Sequence, residues 1–343
     1  MLTNNRKKRG VLCALLLCLL LVSCGTQSGG AEPAEPSPAA AFDPYSLPMF
    51  EDLPEDYAAI HPAFWVAESP NGGKAYLFGS IHLADETAYR LPQAIMDAYL
   101  ESDALAVEID LLAYEADAAA QEANRELTTY PEGDSLAAHI DPLIYEQLVA
   151  FLEENAKDPE LLPSLEHRKP SIWLSALTQI EGEAAGLSEE FGIDEHFLSM
   201  AHAQGKEIIE IESPTSQYEA LDRVPDKMYE ILFEQYVFAE PEHLGDALLT
   251  TYAEWKAGEL PGTEIADTAP GTSELSETEA AVAEYDRVLY TERNAVMAEA
   301  IKAALADGKT LFCTVGADHF LGSQGVVALL EAEGYTVSRI SGE

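Results

Sequence analysis

Two apolar β-like runs, one near each end of the chain, finish in the same pattern: a glycine followed three residues later by a histidine. The first run leads into Gly79 and His82, and the second leads into Gly316 and His319. A glycine at the end of a strand lets the chain turn sharply, because it accepts backbone angles that a Cβ atom forbids. Each histidine is then expected over the end of a sheet, where open α/β sheets bind their ligands. The two histidines are therefore predicted to converge on one site.

Short apolar strands alternate with helical segments along most of the chain. Strands are predicted at 63–66, 74–78, 104–110, 207–212, 310–315 and 335–340. This alternation predicts an α/β fold with a mainly parallel or mixed central sheet flanked by helices. A long helix is predicted at 277–306, after a loop at 259–277. The helical stretches at roughly 112–205 and 226–257 are predicted to form an insertion or cap on the sheet.

The first 23 residues have the pattern of an export signal. Arg6–Arg9 form a basic segment, and Val11–Val22 form an apolar run of twelve residues, which is too short to span a bilayer. The run leads into Leu21–Cys24, which resembles a bacterial lipobox, and that resemblance implies a lipid on Cys24. The alternative is an ordinary signal peptide that ends near a cysteine.

Residues 24–44 are rich in Gly, Ser, Ala, Pro and Glu. Such a segment buries too little apolar surface to fold, so it is predicted to be a disordered tether behind the lipidated cysteine. Residues 45–343 then form the folded domain. A lipid at Cys24 is expected to hold this domain at the extracytoplasmic face of the cell membrane.

The charge of the chain limits its partners. The formal net charge is −42, and removing residues 1–23, which hold four cations and no acids, leaves −46. Nucleic acid is therefore excluded as a partner of the folded part, and anionic lipid headgroups are disfavoured. Cys313 is the one cysteine after Cys24, so the domain has no intramolecular disulfide, and its apolar surroundings predict a small core residue.

Carboxylates within or at the end of apolar runs are further candidates for chemistry. Glu108 lies inside the apolar run 105–109, and a buried carboxylate is costly unless it is paired, hydrogen-bonded or bound to a metal. The alternative is an edge strand that turns Glu108 to solvent. Glu212 ends a similar run and presents the same choice as a second-tier candidate.

Two more charged residues have alternative interpretations. Arg293, in the predicted late helix, either pairs with such a carboxylate, binds a substrate carboxylate or oxyanion, or forms a surface pair with a residue one turn away. Asp318, next to His319, either orients an imidazole or only stabilises the turn.

The motifs at 78–83 and 315–322 look like the paired GxxH motifs of the TraB/GumN family, which includes the animal Tiki metalloproteases and bacterial proteins that suppress sensitivity to peptide pheromones. The similarity spans about residues 60–340. Further matches to the family are Glu108, Lys169-Pro170, Gly192-Ile193-Asp194, Ile211-Glu212, Gln217 and Arg293-Asn294.

The resemblance implies a divalent metal site. His82 and His319 are the predicted ligands, and Glu108 is either the third ligand or the general base. Two imidazoles and a carboxylate leave a coordination position open for water, and a metal there lowers the pKa of that water and polarises a carbonyl. Manganese, cobalt and zinc all suit these ligands. Arg293 is a catalytic candidate of the same site.

The resemblance also implies an activity. The chain is expected to be an exported, lipid-anchored, metal-dependent hydrolase, and within that class a peptidase that acts on peptide or protein substrates. The alternative is a non-catalytic lipoprotein that sequesters a peptide, such as a pheromone, or a haem- or metal-containing ligand. The sequence has no GxSxG motif, P-loop or GxGxxG in a βαβ setting, so the usual signatures of serine hydrolases, NTPases and dinucleotide enzymes are missing.

Overall fold

Six strands form one sheet at the centre of the molecule. The computed structural model describes residues 60–260, 275–306 and 308–340. The strands in these residues are β1 Phe64–Glu68, β2 Lys74–Ser80, β3 Ala104–Val107, β4 Glu207–Glu210, β5 Thr310–Gly316 and β6 Thr336–Arg339. Their order across the sheet is β4-β3-β5-β2-β1-β6.

The sheet is mixed. β2, β5, β3 and β4 run parallel to one another, whereas β1 is antiparallel to both of its neighbours, β2 and β6. The predicted α/β class is confirmed. The predicted strands at 104–110 and 207–212 end early, at Val107 and Glu210. Glu108 and Glu212 therefore lie just beyond the carboxyl ends of their strands.

Fourteen α-helices surround this sheet in the described residues. They are α1 Gln93–Glu101, α2 Leu111–Ala116, α3 Ala118–Ala123, α4 Arg125–Thr128, α5 Pro142–Asn155, α6 Leu161–Leu165, α7 Pro170–Ala185, α8 Ile193–Gln204, α9 Pro214–Asp222, α10 Asp226–Val237, α11 Asp246–Ala257, α12 Glu277–Asp286, α13 Glu292–Leu305 and α14 Val326–Ala332.

The boundaries of the longest of these helices follow from local chemistry. α7 starts with Pro170, whose fixed φ suits the first helical position, where no N–H is needed. It ends before Gly186, which has a φ of 72° in the left-handed region. A side chain at that position would strain the backbone, so the glycine sets the end of the helix.

Each face of the sheet has its own apolar core. On one face α1, α8 and α11 cover an aromatic cluster that includes Phe78, Phe197 and Phe312, and the rings of Phe197 and Phe312 are 4.7 Å apart. On the other face α13 and α14 pack against the sheet around fully buried Cys313. The prediction that Cys313 is a core residue is confirmed.

A third core holds the helical cap together. α5, α7, α9, α10 and α12 pack around buried aromatic residues that include Trp173, Tyr229 and Phe233. The predicted insertion at 112–205 and 226–257 is divided between two places. Its helices α8 and α11 cover the sheet, because their apolar faces carry Phe197 and Trp255 into the sheet core, whereas most of the others form the cap.

The predicted helix at 277–306 is interrupted. α12 and α13 are separated by one π-helical segment, Arg287–Thr291. Such segments inside α-helices occur frequently at functional sites. The sequence did not predict this interruption, which includes buried Tyr290.

The predicted signal peptide, Cys24 and the tether lie outside the described residues, as does most of the predicted loop at 259–277. None of the helices in the part of the chain that the structure describes combines the length and the apolar character needed to cross a bilayer.

Candidate functional site

The two GxxH motifs begin side by side. β2 and β5 are neighbouring parallel strands, and Ser80 at the end of β2 is the register partner of Gly316 at the end of β5. Both motifs therefore leave the sheet at the same edge, the carboxyl end of its parallel strands. His319 is buried, and the His82 side chain is 28% exposed.

The two motif glycines do not have the predicted role of turning the chain sharply at the strand ends. Neither Gly79 nor Gly316 has a positive φ, so the expectation that they supply turn angles is wrong. A Cβ atom on Gly79 would lie 2.8 Å from the Cβ of Ala317, so Gly79 permits the second motif to pack against the first. Gly316 instead donates its backbone N–H to Oε1 of Glu108 at 2.9 Å.

Asn294 holds the His319 ring. Nδ1 of His319 lies 2.6 Å from Oδ1 of Asn294, and Nδ2 of Asn294 donates to the carbonyl oxygen of Gln324 at 2.9 Å. The second bond fixes which end of the amide faces the imidazole. Nδ1 is therefore the protonated nitrogen of His319, and Nε2 carries the lone pair. Asn294 thus orients the His319 ring, and the role of Asp318, in orienting an imidazole or in stabilising the turn, stays a prediction.

Asp194 faces the His82 ring at ion-pair distance, but its Oδ2 does not meet the geometry of a hydrogen bond. Its Oδ2 lies 2.8 Å from Nδ1 of His82. The start of α8 fits closely against the first motif, because Ile193 donates its N–H to the carbonyl of Ile81 at 3.0 Å, and a Cβ atom on Gly192 would lie 2.8 Å from the carbonyl oxygen of His82. An oxygen partner on Nδ1 is the usual arrangement in metal-binding histidines.

Burial controls the charge of several groups at the site. Burial lowers the pKa of His319 to about 3, with Arg293 and His82 acting in the same direction and Glu108 opposing them. His319 is therefore neutral near pH 7, and His82 lies within electrostatic range of it. Burial also raises the pKa of Asp318 to about 7 and that of Glu189, near His82, to about 7.

A buried ion network lies beneath the histidines. Arg293 donates to Oε2 of Glu108 at 2.9 Å and to Oε2 of Glu212 at 2.6 Å, and all three side chains are at most 9% exposed. Gln217 donates its amide to the same two carboxylates, at 2.9 and 3.0 Å. The pairing predicted for Arg293 is present, and its surface-pair alternative is wrong.

The edge-strand alternative for Glu108 is also wrong. β3 lies between β4 and β5, and Glu108 follows it directly into the interior. Both of its carboxylate oxygens accept hydrogen bonds, Oε1 from Gly316 and Oε2 from Arg293 and Gln217. This pairing offsets the desolvation cost of burying the charge.

The fit of a divalent metal differs between the predicted ligands. The imidazoles of His82 and His319 fit, because they leave neighbouring strand ends and an oxygen lies within 2.8 Å of Nδ1 of each. Glu108 does not complete a compact set with them, since the ligand atoms of the three residues do not all lie within 4.8 Å of one another. Its role as third ligand or general base stays a prediction. Among the described residues, the one group that meets this distance is the exposed set Glu240, Glu242 and His243.

Several buried polar atoms around the strand ends are not satisfied. Ser80 Oγ, Thr314 Oγ1, Gln217 Oε1 and Asp318 Oδ2 have no hydrogen-bond partner among the described residues. Most buried polar atoms in proteins have one. Their concentration at the carboxyl end of β2 and β5 indicates a region that can accept a polar ligand.

Four residues that shape this site have no role predicted from the sequence. Asp194, Gln217 and Asn294 matched the family pattern, so a signal for them was present. Tyr290, whose ring centroid lies 5.5 Å from that of His319, gave none, because its position depends on the π-helical segment.

Comparison with known proteins agrees with this architecture. The model of the TraB/PrgY/gumN family matches residues 63–339. Two curated relatives, the uncharacterised YbaP proteins of Shigella flexneri and Escherichia coli K12, are each 28% identical to this chain over 163 residues. These matches cover 46% of this chain and 55% of each relative, so the chain spans about half the length of the relatives it matches. No solved structure is a significant match. Since the family model covers most of the chain, the chain belongs to the TraB/PrgY/gumN family.

Proposed function

We propose that this chain is a metal-dependent hydrolase, a peptidase acting on peptide or protein substrates, and that His82 and His319 hold its divalent metal ion. One observation carries the proposal. The two imidazoles leave neighbouring strand ends, and an oxygen lies close to Nδ1 of each, from Asp194 at 2.8 Å and, as a hydrogen bond, from Asn294 at 2.6 Å. This arrangement directs the Nε2 lone pair of a histidine toward a metal.

A divalent ion held by His82 and His319 would supply Lewis-acid chemistry, polarising a carbonyl and lowering the pKa of water. Two features of the chain's own residues support that chemistry. The lowered pKa of His319 keeps its imidazole neutral, which is the form that binds metals. Arg293 and Gln217 hold the Glu108 carboxylate in one orientation. Glu108 remains the predicted third ligand or general base, and Arg293 the predicted catalytic cation.

We further propose that the protein is a lipoprotein anchored through Cys24 at the extracytoplasmic face of the membrane. The lipobox-like Leu21–Cys24 segment after a short apolar run supports this proposal. Labelling of cells with a radioactive fatty acid tests it. We expect label on the wild-type chain and none on Cys24→Ala. Equal labelling of the two would contradict the anchor.

The activity is tested by incubating the metal-loaded full chain with a peptide library and identifying products by mass spectrometry. We expect new cleavage products that disappear on chelation and in His82→Ala. His243→Ala is the matched control, because His243 is exposed and lies outside the site. Peptides that bind, survive chelation and are recovered intact would overturn the hydrolase proposal and support a sequestering protein.

A further inference from the structure

A cavity lies in the helical cap. It has a volume of about 440 Å³ and is lined by residues of α2, α3, α4, α6 and α9 and of the loops beside them. This volume is in the range of small-ligand sites. Buried Tyr114 and Tyr218 line it, with ring centroids 6.4 Å apart, together with Arg168 and the hydroxyl-bearing residues Thr128 and Thr129.

Arg168 is an unusual cation for this chain. The sequence holds 61 acidic residues and 19 Lys and Arg, yet no carboxylate of the described residues forms an ion pair with Arg168. Its guanidinium donates only to hydroxyl oxygens, Thr129 Oγ1 at 3.2 Å and Thr128 Oγ1 at 3.5 Å. The guanidinium therefore has no anionic partner among the described residues, and an anionic ligand group would supply one.

The backbone fixes Arg168 before any ligand binds. Arg168 and Thr129 form an isolated antiparallel bridge. On either side of it, Tyr130 donates to the carbonyl of His167 at 2.8 Å, and Lys169 donates to that of Thr128 at 3.0 Å. A group that is already ordered loses little entropy on binding.

The acidic residue of the cavity is already paired. Glu122 lies 3.4 Å from the guanidinium of Arg125, and both side chains are largely exposed at the rim. The interior of the cavity therefore combines one arginine with hydroxyl groups and tyrosine rings. This set suits a ligand with one anionic group and an apolar or peptide body.

Helix α9 connects the cavity to the candidate site. Gln217 on α9 donates to Glu108 and Glu212 beneath the histidines. The next residue, Tyr218, lines the cavity. A ligand held in the cavity therefore lies against the same helix that supports the Glu108 carboxylate.

We propose that this cavity binds the free C-terminal carboxylate of a peptide, with Arg168 as its main donor. The planar guanidinium fork matches a carboxylate through two parallel hydrogen bonds. The choice of a peptide rests on the proposed function, whereas the choice of an anion rests on the cavity alone. Two other anions, an acidic side chain within a peptide and inorganic phosphate, offer similar chemistry. The titration below distinguishes them from a terminal carboxylate.

Calorimetric titration of the full chain carrying His82→Ala tests the proposal, because binding is then measured without turnover. The probes are an N-acetylated apolar tripeptide with a free carboxylate, its C-terminal amide, the same amide with an internal Glu, and inorganic phosphate. We expect the free acid to bind about tenfold or more tighter than each of the others. Equal binding of the acid and its amide would overturn the proposal, and tighter binding of the internal-Glu amide or phosphate would overturn the terminal-carboxylate assignment.

Variants in the same background locate the binding. Arg168→Gln should bind the acid about tenfold more weakly, whereas Arg223→Gln should not change binding, because Arg223 lies outside the cavity and pairs with Glu292 at 2.9 Å. If circular dichroism shows that Arg168→Gln is unfolded, Arg168→Lys decides, since it keeps the charge without the fork. An undiminished preference for the acid in the folded Arg168 variant would overturn the proposal. Failure of the hydrolase proposal would leave these binding results unchanged, so the two are distinguishable.

Discussion

The two ends of the central parallel strands carry ion pairs of similar geometry in different surroundings. At the amino end, Lys74 pairs with Glu101 at 2.6 Å and Lys309 with Glu207 at 2.8 Å, with side chains that are 31–52% exposed. At the carboxyl end, Arg293 pairs with two carboxylates at 2.6 and 2.9 Å, with side chains that are 3–9% exposed. The distances are alike, but water screens only the first set.

The pairs at the amino end are surface ion pairs, whereas those at the carboxyl end are buried at a cost in desolvation free energy. Exposed pairs contribute little to stability, whereas a buried pair repays desolvation only when its geometry is good, and removing one partner is strongly destabilising. In many proteins, replacing a buried ion pair by apolar residues of similar volume leaves the stability unchanged or raises it. A buried charged network under two fixed histidines is therefore better explained by function than by stability.

The largest effect should come from removing the cation of the buried network. Arg293→Ala leaves Glu108 and Glu212 buried without their shared cation, so the free energy of unfolding should fall by about 3–5 kcal/mol. Urea unfolding followed by circular dichroism measures this change. A loss below about 1 kcal/mol, as expected for an exposed pair, would remove the distinction between the two ends.

Loss of the acceptor that fixes His319 should weaken metal binding. Asn294→Ala removes the oxygen 2.6 Å from Nδ1, so metal affinity should drop by about 10- to 100-fold. Equilibrium dialysis with Mn²⁺, Co²⁺ and Zn²⁺ measures it. Asn155→Ala is the control, since the Asn155 side chain only donates to the carbonyl of Phe151 in α5. Equal affinity of the two variants would contradict the role of Asn294.

A carboxylate of the helical cap and one at the amino end of the strands should respond oppositely to pH. Burial raises the pKa of Asp286 from 3.8 to about 6, and Asp286 has no cation paired with it among the described residues. At the amino end, hydrogen bonds from Lys74 and Tyr76 lower the pKa of Glu101. The fold prefers protonated Asp286, so its contribution to stability is complete below pH 3.8 and is lost as the pH rises through about 6.

Asp286→Asn should therefore raise the melting temperature by a few degrees at pH 8 and leave it nearly unchanged at pH 4. Glu101→Gln should not raise the melting temperature at pH 8. Thermal melts at both pH values measure the difference. A gain for Asp286→Asn that is the same at pH 4 and pH 8 would show that the carboxylate charge is not its cause.

The smallest effect should come from the amino end. Lys309→Ala removes a partly exposed pair with Glu207, so the free energy of unfolding should change by less than about 1 kcal/mol. Urea unfolding in low and high salt measures it, and the small change should shrink further in high salt. A loss comparable to that of Arg293→Ala would show that both ends are energetically equivalent.

Much of the architecture was predictable because it depends on local patterns. Apolar runs ending in Gly79 and Gly316 marked two strands, whereas the apolar residues around Glu108 left open whether it is buried or faces solvent on an edge strand. The reason for the glycines was not predictable, since it depends on Ala317 packing against Gly79 across two strands. Close approach between distant segments has no signal in one sequence.

The partners of the histidines were harder to predict for a related reason. The contacts of His82 with Asp194 and of His319 with Asn294 join residues that are far apart in sequence, and polar residues of these types are common on helices. The contact of Tyr290 with His319 depends on the π-helical segment at Arg287–Thr291, which periodicity reads as ordinary helix. Arg168 likewise gave no signal, because its lack of an anionic partner exists only in the fold.

The most direct test of the central claim is the metal content of the purified full chain, measured by mass spectrometry after dialysis against a divalent metal. We expect one tightly held ion per chain in the wild type and in His243→Ala, and none in His82→Ala or in His319→Ala. An ion that persists in both of these variants, or that is lost in His243→Ala, would contradict a metal shared by the two GxxH histidines.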